Sequence, residues 1–302
     1  MNFAWILGLL LVFQQQTPDE LTITHENVPI MTVSRSDLSS PTPGITLADM
    51  QKLTQLSDQL DRNIRKEAVD AVIDDSGRIV PEQAGIELNK NAFMEQLLSY
   101  FYQHGPSTIA APTRRIYPRV DSEILAAIND KRIGHYVTYF NSGNKERSHN
   151  IYLAAEAIDN SVVFPGETFS FNKTVGKRTK EKGYLSAPII VKGEMAEGIG
   201  GGICQVSSTL YNAVDRSGMK ILERYSHSKR VRYVPAGRDA TVSWYGPDFT
   251  FKNEYNEPIL IKAKAIHGMM VVLVFSSDEI EAKPNRIPST EHKLPPETKI
   301  AD

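Results

Sequence analysis

The sequence contains very little cysteine and almost no excess charge of either sign, and each shortage excludes a class of protein. Cys204 is the single cysteine among 302 residues, which excludes an intramolecular disulfide framework and any cysteine-rich zinc or iron–sulfur site. Lysine and arginine number 34 against 36 acidic residues. The chain is therefore neither a basic protein that coats nucleic acid nor an acidic solvating one.

Motifs of several other chemistries are also missing. The sequence has no HExxH for zinc, no GxxxxGK[ST] for phosphates and no GxSxG nucleophile elbow. The GIGGG run at 198–202 is not framed by a βαβ unit with a distal acid, so it is not a dinucleotide fingerprint. We therefore expect no metal and no cofactor. We also expect no nucleic-acid partner, because the basic segments lack a pattern of stacking aromatic residues.

An apolar run near the N-terminus bears on the compartment. Residues 3–13 read FAWILGLLLVF, which is shorter than the ~20 residues of a membrane span but typical of a signal-peptide core. No lysine or arginine precedes the run and no small-x-small cleavage site follows it, so a core strand or helix end is the alternative. The polar break QQQTPDE that follows favours export. We expect 1–16 to be a signal peptide or membrane anchor, and the protein to be exported to the cell wall or the outer face of the cytoplasmic membrane.

The length suggests two domains, since a domain averages ~150 residues, and the pattern predicts an α+β fold. A small helix/strand domain is expected over 17–124, with helices at 45–71 and 89–102 and two short strands around the turn Asp75-Ser76-Gly77. A strand-rich domain is expected over 125–276. Residues 277–302 are rich in proline and charge, which predicts a flexible polar tail.

The predicted second domain combines two helices with several strands. A helix is expected over 148–159, with Ser148 or Asn150 as its N-cap. A glycine loop then leads into a central helix from Gln205 to Arg216. After it come five strand-like runs: ILERYSH (221–227), ATVSWYG (240–246), FTFKN (249–253), PILIKAKAI (258–266) and MMVVLVFSS (269–277).

Cys204 lies directly after the glycine loop, at the predicted start of the central helix. A helix N-terminus carries unpaired N–H groups and a partial positive charge, both of which favour a thiolate. The same N–H groups can hold an oxyanion, and the glycines would let backbone approach a substrate. This arrangement suits acyl transfer through a thioester. The alternative is a buried structural cysteine beside a tight turn.

A cysteine nucleophile needs a base, and His227 is the best candidate among the histidines. It ends the predicted strand that follows the cysteine's helix, so the chain can return it to the helix start. His149, near the start of a helix, is second. Asp239 follows His227 by 12 residues and could orient the imidazole as the third group of a triad, although a solvated carboxylate in a turn is the alternative.

Positive charge is concentrated around these residues. Residues 171–240 contain 13 lysines and arginines against six acidic residues, a difference of +7 in a chain that is −2 overall. Such a region can steer a substrate that carries carboxylates, although it is also compatible with an ordinary solvated surface.

The second half of the chain resembles the VanW domain family. The stretches that carry the resemblance are NIYLAAEAIDNSVVFPGETFSFN (150–172), VGKRTKEKGYLSAPIIVKGE (175–194), GIGGGICQVSSTLYNA (198–213), ERYSHSKRVRYVPAGRDATVSW (223–244) and DFTFKNEYNEPILIKA (248–263). They occur in order and with the family's spacing. The preceding SGRIVPEQAGIELN (76–89) is similar to the peptidoglycan-binding domain that often precedes VanW domains.

This resemblance implies a function in the cell envelope. The family is named for its association with vancomycin-resistance loci, and some members are reported as L,D-transpeptidases whose nucleophile is the cysteine of GGGICQ, here Cys204. In that picture Cys204 attacks the carbonyl of the third residue of a peptidoglycan stem tetrapeptide and expels D-alanine. The acyl group then passes to the side-chain amine of a neighbouring stem, while His227 moves protons and Asp239 orients it. The candidate oxyanion- and substrate-binding residues are Gly200, Gly201, Gly202, Gln205, Ser207 and Arg238.

Two other functions fit the same residues. The chain could be a non-catalytic envelope protein that binds peptidoglycan and is associated with glycopeptide resistance. It could also be a cysteine peptidase or amidase of stem peptides, with water as the acceptor. We expect an enzyme of the cysteine acyltransferase type, with peptidoglycan stem peptides as its partners and possible membrane anchoring through its N-terminus.

Overall fold

The structure is a computed structural model that describes residues 19–41, 45–103, 105–191 and 194–290. The expected signal peptide or anchor at 1–16 lies outside these residues. The helices are α1 Met50–Ile64, α2 Lys90–Tyr102, α3 Ser122–Ile128, α4 Lys145–Ile158, α5 Phe171–Val175 and α6 Ile203–Arg216. Within the described ranges, no helix is long and apolar enough to cross a membrane.

The strands are short in the first half of the chain and longer in the second. They are β1 Glu20–His25, β2 Val28–Ser34, β3 Val72–Ile73, β4 Ile79–Val80, β5 Gly85–Leu88, β6 Ser107–Ala110, β7 Thr113–Ile116, β8 Lys131–Tyr139, β9 Ser161–Val163, β10 Thr168–Ser170, β11 Ser186–Val191, β12 Glu194–Ile199, β13 Lys220–Glu223, β14 Thr250–Lys252, β15 Ile259–Ile266 and β16 Met269–Ser276. The mixture of helices and small sheets confirms the predicted α+β class.

The chain forms two compact units. Within the described residues, the first consists of 19–70 together with Glu82–Arg119, and the second consists of Ala71–Pro81 and 120–290. The first unit contains a sheet with the order β2-β1-β6, in which β1 pairs antiparallel with β2 and parallel with β6. Its core joins apolar residues of β1, α1 and α2.

Helix α1 is shorter than the predicted 45–71. Asp49 is its N-cap, and the carboxylate accepts hydrogen bonds from the amides of Gln51 and Lys52 at 3.0 and 3.2 Å, so the helix begins at Met50. Leu47 is 46% exposed and takes no part in the core. The second predicted helix agrees within one residue with α2.

The hairpin around Asp75-Ser76-Gly77 is formed as predicted, because β3 pairs antiparallel with β4. It belongs to the second unit, whereas we had placed it in the first domain. The amide of Ile73 donates to Asn160 Oδ1 at 2.9 Å and the carbonyl of Ile73 accepts from Lys262 Nζ at 3.2 Å. These backbone contacts explain why the hairpin groups with the second unit.

The second unit is built on an antiparallel sheet with the order β8-β16-β15-β9. Helix α6 packs on β8 and β16, and α4 packs on β15. The unit also contains a smaller sheet, β10-β14-β13, and the hairpin β11-β12. Most of α6 is buried, including Gln205, Ser207, Ser208, Thr209 and Asn212, so it is a central helix with many polar side chains.

Two predictions for the second unit are wrong. Helix α4 begins at Lys145 and its N-cap is Asn144, whose side chain accepts from the amide of Arg147 at 3.0 Å; the expected caps Ser148 and Asn150 lie inside the helix. The expected strand 240–246 is absent, and only an isolated bridge joins Tyr225 to Thr241.

Residues 277–290 do not form the expected flexible tail. The carbonyl of Ile287 accepts from Arg216 Nη2 at 2.6 Å, and the carbonyl of Pro288 accepts from the Tyr136 hydroxyl at 2.9 Å. The hydroxyl of Thr290 donates to the carbonyl of Val137 at 2.6 Å. Side chains of α6 and β8 therefore hold this segment along the second unit.

Candidate active site

The glycine loop connects β12 to α6 and places Cys204 in the first turn of that helix. Gly200 and Gly202 have φ angles of +85° and +105°, which side chains rarely tolerate. A Cβ on Gly201 would lie 2.5 Å from the carbonyl oxygen of Ala187 in β11. The glycines therefore allow the loop to pack closely against the protein's own backbone.

Asn150 of α4 holds this loop from the other side. Its Nδ2 donates to the carbonyls of Leu185 and Gly201 at 2.9 and 3.0 Å, and its Oδ1 accepts from the amide of Leu185 at 2.8 Å. The residue is fully buried, so all these bonds form away from water, where an unpaired amide would be costly. Asn150 therefore fixes the backbone just ahead of Cys204.

The Cys204 side chain is half-buried and faces the segment 239–242. Its Sγ lies 3.6 Å from the carbonyl oxygen of Val242 and 3.8 Å from Thr241 Oγ1. The His227 side chain lies close enough to Cys204 for each group to shift the pKa of the other. The cysteine is therefore neither a purely apolar core residue nor a freely exposed thiol.

His227 and Asp239 form a close pair beside the cysteine. One carboxylate oxygen, Oδ2 of Asp239, lies 2.7 Å from His227 Nδ1 and accepts from the His227 backbone amide at 2.6 Å. Both side chains are less than a tenth exposed. Because Nδ1 is engaged by the carboxylate, Nε2 is the ring nitrogen left for Cys204. The three residues selected from the sequence thus form one chain of interactions, Asp239–His227–Cys204, in which Asp239 hydrogen-bonds His227 and His227 and Cys204 shift each other's pKa.

The pKa directions within this chain agree with one another. Burial raises the pKa of the Cys204 thiol, but His227 together with Val242 and Thr241 outweighs this effect, so the pKa lies below its ordinary value. Burial lowers the pKa of His227, whereas its bonds to Asp239 and Cys204 raise it to about 9. Burial raises the pKa of Asp239, but His227 reverses the sign and holds it low. The favoured state is a thiolate–imidazolium pair beside a carboxylate.

Serines of α6 attach the segment 239–242 to the helix. Ser208 Oγ accepts from the amide of Ala240 at 2.9 Å, and Ser207 Oγ donates to the carbonyl of the same residue at 2.6 Å. Both hydroxyls also donate to the carbonyl of Cys204, at 2.6 and 3.1 Å. These bonds satisfy Ala240 without a neighbouring strand, which explains why the predicted strand 240–246 does not form. They also bring Asp239 and Val242 to the cysteine.

His227 is held differently from what the strand pattern suggested. Strand β13 ends at Glu223, so His227 lies in irregular backbone beyond it. Arg224 Nη1 donates to the Asp239 carbonyl at 2.7 Å, and the His227 amide bonds the Asp239 carboxylate. The two segments are therefore joined by side-chain and backbone bonds rather than by a ladder of strand pairing.

The backbone amides at the start of α6 differ in what they can donate to. Ile203 N donates to the Gly200 carbonyl at 3.3 Å, and Gln205 N donates to the Gly202 carbonyl at 3.0 Å. Among the described residues, the amides of Gly202 and Cys204 make no such bond. The amides of Gly202 and Cys204 are therefore the backbone donors at this helix start that an oxyanion could use.

Three candidate substrate-binding residues, Gln205, Ser207 and Arg238, form hydrogen bonds with other groups of the protein. Gln205 is 1% exposed, and its amide accepts from Arg147 at 2.6 Å and donates to Thr138 Oγ1 at 2.9 Å. Ser207 is fully buried and is used to hold Ala240. Arg238 has its charge neutralised because it donates to Asp215 at 2.6 Å. These side chains are therefore held by contacts within the protein.

The alternative base His149 lies elsewhere. It is exposed on α4, with Nε2 3.0 Å from the carbonyl oxygen of Gly183. Of the two candidate histidines, only His227 therefore contacts Cys204. Within the described residues no group of histidine, cysteine, aspartate and glutamate has an arrangement that could hold a metal ion.

Sequence reasoning missed Tyr233 and Arg178. The Tyr233 phenol hydrogen-bonds Ser208 and its pKa is raised by burial and by the negative charge of Cys204, so it is a neutral group beside the thiolate. Arg178 is also electrostatically coupled to Cys204. Both residues lie within stretches that carry the family resemblance, but their spacing from Cys204 gives no periodic signal that could have selected them.

Comparison with known proteins assigns the chain to a family. It is 55% identical over 293 residues to "Uncharacterized protein YoaR" of Bacillus subtilis, a match that covers 97% of each chain. It is 30% identical over 110 residues to the "Vancomycin B-type resistance protein VanW" of Enterococcus faecalis, which covers 35% of this chain and 40% of that protein.

The family comparison covers the site described above. No solved structure matches the chain significantly. The family model "VanW like protein" matches residues 146–275, which lie in the second unit and include the glycine loop, α6, His227 and Asp239. The protein therefore belongs to the VanW family.

Proposed function

We propose that the protein is an exported cell-envelope enzyme that cross-links peptidoglycan stem peptides through a thioester on Cys204, as an L,D-transpeptidase. The observation that carries the proposal is the chain of interactions Asp239–His227–Cys204, whose pKa directions favour a thiolate and an imidazolium. The name of the Enterococcus faecalis relative ties that protein to vancomycin resistance, which supports a role in the cell envelope and in resistance for this chain as well.

The first half-reaction is acylation of the enzyme. The Cys204 thiolate attacks the carbonyl carbon of the third residue of a stem tetrapeptide, and the oxyanion that forms accepts from the amides of Gly202 and Cys204. The His227 imidazolium gives its proton to the leaving nitrogen as the carbon–nitrogen bond breaks. D-Alanine leaves with a neutral amino group. Cys204 then carries the acyl group as a thioester, and His227 is a neutral imidazole.

The second half-reaction transfers the acyl group. The side-chain amine of a neighbouring stem attacks the thioester carbonyl, and the neutral imidazole of His227 takes a proton from the attacking nitrogen. The carbon–sulfur bond then breaks and restores the Cys204 thiolate and the imidazolium. Asp239 stabilises the imidazolium and fixes the ring so that Nε2 faces the sulfur in both steps.

Export and wall binding belong to the same proposal. A reactive thiol in an oxidising compartment cannot be trapped in an intramolecular disulfide here, because Cys204 has no second cysteine to pair with. The apolar run at 3–13 would direct the chain across the membrane, and the resemblance of residues 76–89 suggests that the first part of the chain binds peptidoglycan. Fractionation of cells with an antibody to the protein tests this part, because purely cytosolic recovery contradicts it.

The reaction is tested with purified protein and a disaccharide-tetrapeptide. We expect release of D-alanine together with a cross-linked dimer, and we expect both to disappear in Cys204→Ala. Release of D-alanine without dimer would instead indicate a peptidase that uses water as the acceptor. Failure to release D-alanine, with Cys204 shown to be reduced, would refute catalysis and leave a binding protein.

A further inference from the structure

Arg178 carries a buried positive charge whose hydrogen bonds are not satisfied. Among the described residues, its Nη1 and Nη2 atoms are shielded from water and have no hydrogen-bond partner. An arginine stays protonated in proteins, so the missing bonds cannot be avoided by loss of a proton. A buried charged donor without an acceptor is destabilising and calls for a partner that the folded chain does not supply.

The stem of Arg178 is fixed next to the glycine loop. A Cβ on Gly200 would lie 3.2 and 3.3 Å from Cβ and Cγ of Arg178, so the arginine packs against the backbone that leads to Cys204. The guanidinium carbon lies 5.7 Å from the centre of the Phe171 ring, whose side chain is fully buried. The group is therefore positioned by packing, in the way that a preorganised binding residue is positioned.

The nearby acidic side chain is already used. Asp248 accepts from the Ser170 hydroxyl at 2.5 Å and from the amides of Asn172 and Phe249 at 2.9 and 2.7 Å. It interacts with Arg178 only through its charge. The Cys204 thiolate interacts with Arg178 in the same way. Neither group supplies the two parallel acceptors that a guanidinium fork prefers.

The other arginines around the site differ from Arg178 in this respect. Arg238 is bonded to Asp215 and Asn212, Arg147 donates to Gln205 at 2.6 Å, and Arg224 donates to the Asp239 carbonyl at 2.7 Å. These arginines fix parts of the protein to one another. Arg178 fixes nothing through its Nη atoms, although the residue as a whole is only half-buried.

We propose that Arg178 receives the terminal carboxylate of the peptide that Cys204 attacks. A carboxylate offers two oxygens in the geometry that a guanidinium binds in a bidentate manner. In a tetrapeptide donor this carboxylate belongs to the leaving D-alanine and follows the attacked carbonyl by one residue, about 3.8 Å along the chain. One further residue would move the carboxylate by about another 3.5 Å, so Arg178 selects a donor that ends one residue after the scissile bond.

This inference rests on the proposed function for the identity of the peptide, but its core is an anion site beside Cys204, which can be tested without any peptide. Iodoacetate and iodoacetamide alkylate the same thiolate, but iodoacetate carries a negative charge and iodoacetamide is neutral. The measured quantity is the alkylation rate with iodoacetate divided by the alkylation rate with iodoacetamide. We expect Arg178→Met to lower this ratio by about tenfold or more, the loss typical of one charged hydrogen-bonded contact. Arg178→Lys should lower it less, because lysine keeps the positive charge but lacks the paired N–H groups of a guanidinium.

The control is Lys177→Met, which removes the neighbouring positive charge. Lys177 lies over the Tyr245 ring at 5.3 Å, and we expect its substitution to change the ratio by less than about twofold, since its exposed charge is screened. An unchanged ratio in Arg178→Met, or an equal decrease with Lys177→Met, contradicts the anion site. Equal slowing by both reagents also contradicts it, because Arg178 would then act only on the thiolate. Thermal unfolding of each variant checks that the fold is kept.

The identity of the anion is tested with three donors: the tetrapeptide, its C-terminal amide and the pentapeptide. With wild-type protein we expect the tetrapeptide to release D-alanine faster than its C-terminal amide releases D-alaninamide. We expect little cleavage of the same bond in the pentapeptide. In Arg178→Met the preference for the free carboxylate should fall at least tenfold, mainly through KM. A preference that persists in this variant contradicts the assignment. If no donor reacts but the alkylation ratio behaves as expected, the proposed function fails and the anion site stands.

Discussion

At the scale of single residues, one carboxylate oxygen organises the candidate active site. Oδ2 of Asp239 accepts from both the backbone amide and the ring Nδ1 of His227, so a single atom sets the position and the rotation of the imidazole. The ring then presents Nε2 to Cys204. Because these side chains are less than a tenth exposed, water competes little for the bonds, and the charged pair is stabilised by its neighbours.

Substitution of Asp239 by asparagine tests this organisation. An amide cannot stabilise the imidazolium as a carboxylate does and favours the wrong tautomer, so we expect the acylation rate to fall by about a hundredfold or more. Rapid-quench measurement of D-alanine release gives the rate. The matched control is Asp75→Asn, which removes a fully exposed carboxylate paired with Lys264 and should leave the rate unchanged. Equal rates for Asp239→Asn and wild type would show that Asp239 is only structural.

The pH dependence follows from the raised pKa of His227. The pKa of His227 is about 9, and the pKa of the Cys204 thiol is lowered. The thiolate–imidazolium pair therefore exists at pH values above the thiol pKa and below about 9. Acylation needs the imidazolium proton, so its rate should fall as the pH rises through about 9. Alkylation of Cys204 by iodoacetamide needs only the thiolate and should not fall there. A parallel decline of both rates above pH 9, or no decline of acylation, contradicts this assignment of roles.

At the scale of secondary-structure elements, the site depends on how tightly α6 and its glycine loop pack against β11 and α4. Sequence patterns located the loop and placed the start of α6 within two residues, because glycine and helical periodicity are local signals. The same patterns misplaced the start of α4 and predicted a strand at 240–246 that does not form. In both places a side chain forms the hydrogen bonds of the backbone: Asn144 at the helix cap, and Ser207 and Ser208 at Ala240. The serines are distant from Ala240 in sequence, and several residues near Asn144 could equally have been the cap.

Gly201→Ala tests the packing of the loop. The added Cβ would meet the carbonyl oxygen of Ala187 at 2.5 Å, and overpacking against backbone typically lowers the free energy of unfolding by about 1–3 kcal/mol. Gly246→Ala is the control, since its Cβ would meet only Ser243, at 3.5 Å, and should change stability by less than about 0.5 kcal/mol. Urea denaturation followed by circular dichroism measures both. Equal effects of the two substitutions would contradict the close approach.

At the scale of the whole molecule, the pattern of predicted helices and strands gave the α+β class, and the logic of a catalytic triad selected three residues that the fold brings together. The spacing of Cys204, His227 and Asp239 sufficed because they lie within 36 residues of one another. Arg178 and Asn150 were not found, since they reach the same place from β10–β11 and α4 through tertiary packing, which has no sequence period. Residues 277–290 were also misjudged, because their backbone is held by side chains of α6 and β8 rather than by its own pattern.

The central claim is that Cys204 forms a thioester, and intact-protein mass spectrometry after acid quench tests it most directly. Wild-type protein mixed with disaccharide-tetrapeptide, without acceptor, should gain the mass of the donor less D-alanine. Peptide mapping should place the adduct on Cys204, and Cys204→Ala should show no adduct. Absence of any adduct at every quench time, in protein whose Cys204 is shown by alkylation to be reduced and accessible, would contradict the account.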